Sequence, residues 1–248
     1  MITGYRSEYM DKDIKITGTG SSNGGTVRNV KVVGEGVIHS DVESQYFKCT
    51  GTAAVNGHLR SNQIKLTGSL HVQGDVYGDS IKTSGQFEVG GKLEVRHVKL
   101  NGDTVVKRSI HSEHFKAFGS VRLHGDCSAE QLRIKGAIET EGMLNAEHID
   151  IGLYGLCKVA EIGGHKIEIK RTLISSLFHM FNPKRQSNLI ADTIEGDVVH
   201  LEHTEAKVVR GRKVYIGPGC RIGLVEYSES CKKHSDAVTE VCNQIGSL

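Results

Sequence analysis

Glycine recurs at a fixed interval of 17 residues through much of this chain. The first series comprises Gly34, Gly51, Gly68, Gly85, Gly102, Gly119 and Gly136. A second series has the same period and is interrupted once, at Arg108; it comprises Gly57, Gly74, Gly91, Gly125 and Gly142. A short fixed period is typical of a solenoid, in which each repeat is one rung that buries its apolar side chains only against neighbouring rungs. The period therefore constrains the architecture before any motif is considered.

Apolar residues occupy fixed positions relative to the first glycine series. Counted from that glycine, position +4 carries Ile38, Val55, Val72, Val89, Val106, Leu123 and Thr140, and position +13 carries Phe47, Ile64, Ile81, Val98, Phe115, Leu132 and Ile149. Positions +2, +8, +10 and +15 are also apolar or small. These positions form pairs two residues apart (+2 and +4, +8 and +10, +13 and +15), which is the period of a strand. Three pairs in each rung predict three short strands joined at corners, and thus a triangular parallel β-helix.

The composition agrees with this prediction. The chain of 248 residues contains 30 glycines, two prolines and no tryptophan. Glycine permits the backbone angles of sharp corners, whereas proline lacks the N–H that a strand ladder requires. The fold class predicted is all-β, a solenoid of 17-residue rungs.

Charge and cysteine content restrict the functional classes. The formal charge is +2, and no basic stretch alternates with stacking aromatic residues, so we expect no nucleic-acid partner. No apolar run has the length of a membrane span, and the N-terminus lacks the pattern of a signal peptide. The six cysteines are scattered, and Cys49 and Cys127 occupy inward positions. We expect a reduced, cytoplasmic protein, with or without membrane association.

The repeat is interrupted near the C-terminal end. We predict an N-terminal tail (1–13), a main rod (14–170), an insertion (171–189), further rungs (190–228) and a polar tail without a rung (229–248). The apolar residues of the insertion follow the spacing of one helical stripe: Leu173, Ile174, Leu177, Phe178 and Phe181. This short amphipathic helix would cover the outside of its own rod, or bind a partner or a membrane surface.

The rungs and the closing segment IADTIEGDVVHLEHTEAKVVRGRKVYIGPGCRIGLVEY (190–227) resemble a bactofilin, in particular the long Firmicutes type. Bactofilins are bacterial polymer-forming cytoskeletal proteins. The resemblance implies a right-handed triangular β-helix that stacks end to end into non-polar filaments without nucleotide. It implies a scaffold at the membrane in cell shape, polarity or motility, with no cofactor. The partners it implies are other copies of the chain, a paralogous bactofilin, and a membrane surface or membrane protein.

Polymerisation through the rod ends requires apolar residues in the terminal rungs, because a β-helix end presents open backbone groups and an apolar interior. The residues predicted to form this interface are Ile14 and Ile16 at one end, and Val214, Ile216, Ile222, Leu224 and Tyr227 at the other.

One cation recurs three residues before each first-series glycine. In a parallel coil these cations stack at about 4.8 Å along one outer face. This stripe would suit an anionic lipid, a cell-wall precursor or an acidic partner surface, or serve solubility alone. The cations are Lys15, Lys31, Lys48, Lys65, Lys82, Lys99, Lys116 and Arg133.

Two groups of residues suggest chemical alternatives to a structural role. The segment YIGPGCRIG (215–223) is similar to hexapeptide-repeat acyltransferases, which need a histidine general base. We expect no catalytic centre, because the candidate histidines fall at outward or corner positions without an acid–base pair: His111, His114, His124, His148, His200 and His203.

A metal site built from Cys220, Cys231, His234 and Cys242 is disfavoured, because their spacing matches no compact ligand motif. A β-helix binding module that does not polymerise remains the other alternative.

Overall fold

The chain folds as an all-β parallel solenoid of about 13 turns, seen in a computed structural model that describes residues 12–172 and 188–246. No helix occurs within these ranges. The predicted helix, with Leu173, Ile174, Leu177, Phe178 and Phe181, lies outside the described residues. The strands are β1 (Asp13–Ser22), β2 (Gly25–Thr26), β3 (Asn29–Ile38), β4 (Val42–Val55), β5 (Leu59–Val72), β6 (Val76–Val89), β7 (Leu93–Val106), β8 (Ile110–Leu123), β9 (Cys127–Leu153), β10 (Cys157–Arg171), β11 (Leu189–Leu201), β12 (Thr204–Ile216), β13 (Arg221–Lys233) and β14 (Val238–Gln244).

Successive rungs pair in parallel along the whole rod. Apart from β2, which pairs with β4, the strands follow one path in chain order from β1 to β14. The 17-residue period sets the register directly: Gly51 lies beside Gly68, and Lys48 beside Lys65. Residues with the same position in the repeat therefore form columns that run along the rod.

The predicted inward columns form the core. Val72 and Leu93 are fully buried, and Leu132 is 1% exposed. The largest buried side chains are Phe47, Phe87 and Phe115, and the core continues from the first rungs to Ile222 and Val225. The small position +10 also faces inward, where Ser44 Oγ donates to Ser61 Oγ at 3.0 Å and both hydroxyls are buried. The prediction of inward faces from the repeat is confirmed.

The first glycine series forms a column with left-handed backbone geometry. Gly68 has a φ of 118°, and the equivalent glycines from Gly34 to Gly136 are also positive. A Cβ added at Gly68 would press against the carbonyl oxygen of Gly51 in the preceding rung. Two constraints therefore act on the same position, because an L side chain is strained at this φ and has no space beside the neighbouring backbone.

A column of aspartates joins the rungs at another corner. Asp41 Oδ1 accepts from the backbone N–H of His58 at 2.7 Å, and Asp75 Oδ1 accepts from that of Lys92 at 2.7 Å. In the same way, Asp126 Oδ1 accepts from the backbone N–H of Met143 at 2.9 Å. Each carboxylate thus satisfies a backbone donor of the following rung. The hydrogen bond from Lys92, partly opposed by burial, holds the pKa of Asp75 below its usual value.

The rod continues across the insertion. β10 ends at Arg171 and β11 begins at Leu189, yet Cys157 pairs with Leu189 and Ile169 with Leu201 in unbroken parallel register. The rungs on either side of residues 173–187 therefore stay stacked in register.

The rungs extend beyond residue 228, where the sequence pattern predicted a polar tail. β13 reaches Lys233, and β14 pairs with it in register from Arg221↔Val238 to Tyr227↔Gln244. The side chains of β14 are mostly exposed. This last strand is therefore held chiefly by backbone hydrogen bonds, which leave no apolar pattern in the sequence.

Candidate functional site

The described rod has two open edges. In the pairing path, β1 is bonded only to β3, and β14 only to β13, among the residues that the structure describes. An unpaired strand edge presents backbone donors and acceptors to which another chain can bind. The two ends are therefore candidate assembly surfaces.

At the N-terminal end, the two predicted interface residues lie in the first described rung. Ile14 is half-buried and packs against the core, and Ile16 is 6% exposed. Their strand, β1, carries the open edge.

At the C-terminal end, the predicted interface lies too far inside the rod. Val214, Ile216 and Ile222 are buried, and Leu224 and Tyr227 are half-buried. The second half of β13 covers Val214, which pairs with Cys231, and β14 covers Leu224, which pairs with Val241. Val214, Ile216 and Ile222 therefore belong to the core of the rod, and Leu224 and Tyr227 lie one strand inside its described end.

The actual C-terminal end is formed by β14. Thr239 lies over Ile222 and Cys242 lies over Val225, and these side chains close the described interior together with Ala237, which is 6% exposed. On the same strand Val238 is 58% exposed and Val241 is 47% exposed. The end presents a partly apolar strand with an unpaired edge.

The two tail cysteines meet at this end. Cys231 Sγ and Cys242 Sγ are 3.7 Å apart, whereas Cys220 is buried. Burial raises the pKa of the Cys231 thiol to about 11. Within residues 12–172 and 188–246, no group of three His, Cys, Asp or Glu side chains is arranged to hold a metal ion.

The cations that recur in each rung stack as predicted, and we call them the lysine column. The register pairs each member with the next, and all are exposed: Lys15, Lys31, Lys48, Lys65, Lys82, Lys99, Lys116 and Arg133. Arg133 Nε pairs with Asp150 Oδ2 at 2.9 Å, where the column ends. Among the described residues, none of the seven lysines has a carboxylate within 4 Å.

From Asn29 to Lys135, none of the outward-facing positions directly beside the lysine column is an Asp or a Glu. We define the basic face as the lysine column from Lys31 onward with the outward residues two positions before and after each member. Those before are Asn29, Tyr46, Gln63, Ser80, His97, His114 and Gln131, and those after are Val33, Thr50, Thr67, Ser84, Asn101, Phe118 and Lys135. The chain has a formal charge of only +2, so the positive charge is concentrated on this face.

Acids border the basic face on both sides. Asp79, Glu113, Glu130 and Glu147 lie three residues before the column position of their rungs, at the preceding corner. Glu35 and Asp103 lie four residues after it, beyond the glycine corner. The positive potential is therefore confined to a strip along the rod. The period alone places these residues.

The candidate histidines are spread over the surface of the rod. His111, His124 and His148 are exposed, and His114, His200 and His203 are half-buried. His111 Nδ1 lies 2.8 Å from Ser128 Oγ, and His200 Nε2 lies 3.7 Å from Glu202 Oε1. The shortest histidine–carboxylate contact among the described residues, His165 Nδ1 to Asp197 Oδ2 at 2.6 Å, was not predicted and is about half exposed.

Within the described residues, no helix is long and apolar enough to cross a membrane.

Comparison with known proteins gives two partial relatives. The Bacillus subtilis (strain 168) protein named "Uncharacterized protein YhbF" is 48% identical over 85 residues, which is 34% of this chain and 34% of that protein. "Uncharacterized protein YhbE" of the same organism is 44% identical over 68 residues, 27% of this chain and 28% of that protein. The matched segments thus span about a third or less of each relative. No protein-family profile and no solved structure matches the chain.

Proposed function

We propose that this chain is a bactofilin-type scaffold that assembles into filaments without nucleotide by end-to-end stacking of its β-helices. The observation that supports this function best is the single pairing path with an open strand edge at β1 and another at β14. The proposal includes the right-handed, triangular form of the coil that the sequence resemblance implies. It also includes a cytoplasmic role in organising a membrane-proximal process such as cell shape, polarity or motility.

Stacking two rods would pair their open edges and cover the interior side chains of both terminal rungs. At the β14 end these side chains are Thr239 and Cys242, and at the β1 end they include Ile14 and Ile16. Like-to-like contact at each end has two-fold symmetry, so a chain of such contacts gives a filament without polarity. The backbone bonds of the new ladder would provide most of the specificity, as in other cases of strand addition.

The alternative functions make different demands on the rod. A binding module that does not polymerise requires covered ends, and a hexapeptide-type acyltransferase requires a histidine base in a cleft between subunits. Among the described residues, the short His165–Asp197 contact is the geometric feature that most favours an enzyme. Because both side chains are about half exposed and stand on a rod flank, we propose a structural role and no enzymatic activity.

Electron microscopy of the purified chain in negative stain, without nucleotide, tests the proposal. We expect filaments whose width is that of one or a few rods. Discrete trimers would support the acyltransferase alternative, and dispersed single rods would support the binding module.

A matched pair of arginine substitutions locates the contact. Cys242→Arg places a charge at the β14 end, where the side chain is exposed in the single rod but buried on stacking. We expect this variant to remain folded and to lose sedimentation as polymer, whereas Gln86→Arg, on the exposed flank of β6, should polymerise normally. Normal filaments of the Cys242→Arg variant would contradict assembly through β14. Ile222, one of the interface residues predicted from the sequence, is buried, so Arg there would destabilise the rod itself.

A further inference from the structure

We propose that the lysine column binds a linear polyanion that carries phosphates along its backbone and lies lengthwise on the rod. The inference concerns the flank of the rod rather than its ends, so it does not rest on self-assembly. Three properties of the basic face support it: its lysines have no carboxylate partner among the described residues, its charged strip is long and narrow, and its side chains suit phosphate.

The charge of the column is not compensated within the described chain, unlike that of other cations on the rod. Arg96 pairs with Asp79 in the preceding rung at 3.1 Å, and Lys107 pairs with Glu88 at 3.5 Å. The seven column lysines have no such partner among the described residues. Two unit charges about 4.8 Å apart repel by about 1 kcal/mol even in water. A bound chain of anions would replace this repulsion by attraction at every rung.

The charged strip is long and narrow. From Lys15 to Arg133 the column covers seven rung steps, or about 34 Å, whereas the basic face is one strand segment of about 13 Å across. A broad anionic surface such as a bilayer would also meet the bordering acids, among them Glu113, Glu130 and Glu35, and these would oppose its approach. A linear ligand can follow the column and avoid the acids on both sides.

The side chains of the face favour phosphate over nucleobases. Lysine binds phosphate as a point charge with three donors, and the small hydroxyl and amide side chains beside it, such as Thr50, Gln63 and Thr67, add neutral hydrogen-bonding groups. Single-stranded nucleic acid is usually held by aromatic residues that stack on successive bases. The aromatic rings of the basic face are those of Tyr46 and Phe118, in separate rungs, and of His97 and His114. The two histidine rings stack on each other with centroids 5.1 Å apart, which leaves no room for a base between them. The ligand class is therefore a polyphosphate or a polyol phosphate.

Titration with long-chain inorganic polyphosphate and with tripolyphosphate, at neutral pH and about 0.1 M NaCl, tests the inference. We expect the long chain to bind at least about ten-fold more tightly than tripolyphosphate, because it contacts many rungs at once. Binding should weaken steeply with salt, since each neutralised phosphate releases a counterion.

A four-lysine variant and a matched control identify the surface. K48Q/K65Q/K82Q/K99Q removes half of the column, so we expect at least a ten-fold loss of affinity and about half the salt slope. K92Q/K107Q/K158Q/K207Q removes the same charge from exposed positions outside the basic face, and should bind as the unchanged chain does. Thermal melts of both variants should match that of the parent, because all eight lysines are exposed.

Several outcomes would overturn the inference. These are an equal loss in both variants, equal affinity for tripolyphosphate and the long chain, or no binding of polyphosphate. If phosphatidylglycerol vesicles bind through the lysine column more tightly than polyphosphate does, the basic face is a membrane-binding surface instead. Equal competition by single-stranded DNA would assign it to nucleic acid. Loss of filaments with retained polyphosphate binding would contradict only the proposed self-assembly.

Discussion

An inward side chain has no access to water in this rod, so its chemistry is tightly restricted. Val72 is fully buried between its equivalents Val55 and Val89. Val72→Asp would place an unpaired carboxylate in the interior, at an expected cost of several kcal/mol. We expect a sharply lower melting temperature by circular dichroism, because the stability of a solenoid depends on each interface between rungs.

The control for this substitution is Lys82→Glu, which changes charge on the exposed basic face. It should leave the melting temperature close to that of the parent, since its neighbours in the column are both lysines. Similar melting temperatures for Val72→Asp and Lys82→Glu would mean that the inward and outward faces are assigned wrongly.

Two glycines with positive φ separate backbone strain from steric contact. Gly18, in the first described rung, has a φ of 76° and no described atom within 4 Å of an added Cβ. Gly68 has a φ of 118°, and an added Cβ would press against the backbone of Gly51. We expect Gly18→Ala to cost about 1 kcal/mol from strain alone, and Gly68→Ala to cost at least about 2 kcal/mol. Urea unfolding of the two variants measures both costs, and a larger loss at Gly18 would refute the steric explanation.

At the scale of the strands and corners, the aspartate column is the feature that the period did not predict. Asp75 joins two rungs, because its carboxylate accepts from the N–H of Lys92 and from the hydroxyl of Tyr77 at 3.0 Å. Its pKa is lowered in the folded state, so the carboxylate stabilises the rod above the usual aspartate pKa, and this contribution is lost as the pH falls through the folded value.

We therefore predict that Asp75→Asn lowers the free energy of unfolding by about 1 kcal/mol at pH 7, and that the difference from the parent shrinks below about pH 4. Asp103→Asn is the control, since Asp103 is an exposed acid on the edge of the basic face. Urea unfolding at several pH values gives the comparison. A difference that stays constant down to pH 2 would show that the charge of Asp75 does not contribute.

The terminal strand β14 shows where sequence patterns stop being informative at this scale. Its interior positions hold Thr239 and Cys242, and its most apolar residues, Val238 and Val241, are exposed. A strand that pairs through its backbone on one side needs no apolar period. The sequence therefore predicted a polar tail, and placed the end of the rod at Ile222 and Leu224, inside the actual end.

For the whole molecule, most of the fold follows from a single number, the 17-residue period. That number fixes the parallel register, the buried columns of Val72 and Leu93, and the stacking of Lys48 on Lys65. The candidate surfaces were predicted less completely. The lysine column is a property of the repeat and could be predicted from it. The C-terminal end could not, because its last strand is held by backbone hydrogen bonds that leave no pattern of side chains in the sequence.

The unbroken pairing of β10 with β11 across a step of 32 residues, from Cys157 to Leu189, has a consequence for how such a chain can change in evolution. Inserted or deleted residues are tolerated when they leave and rejoin at one corner, or when they amount to one complete turn. A change in length within a strand would turn the later side chains out of their columns unless a bulge absorbs it, as between Val159 and Glu161 in the pairing of β10 with β9. Rod length is therefore quantised in increments of one coil, and duplication of a single turn would lengthen the particle by about 4.8 Å while keeping both ends identical.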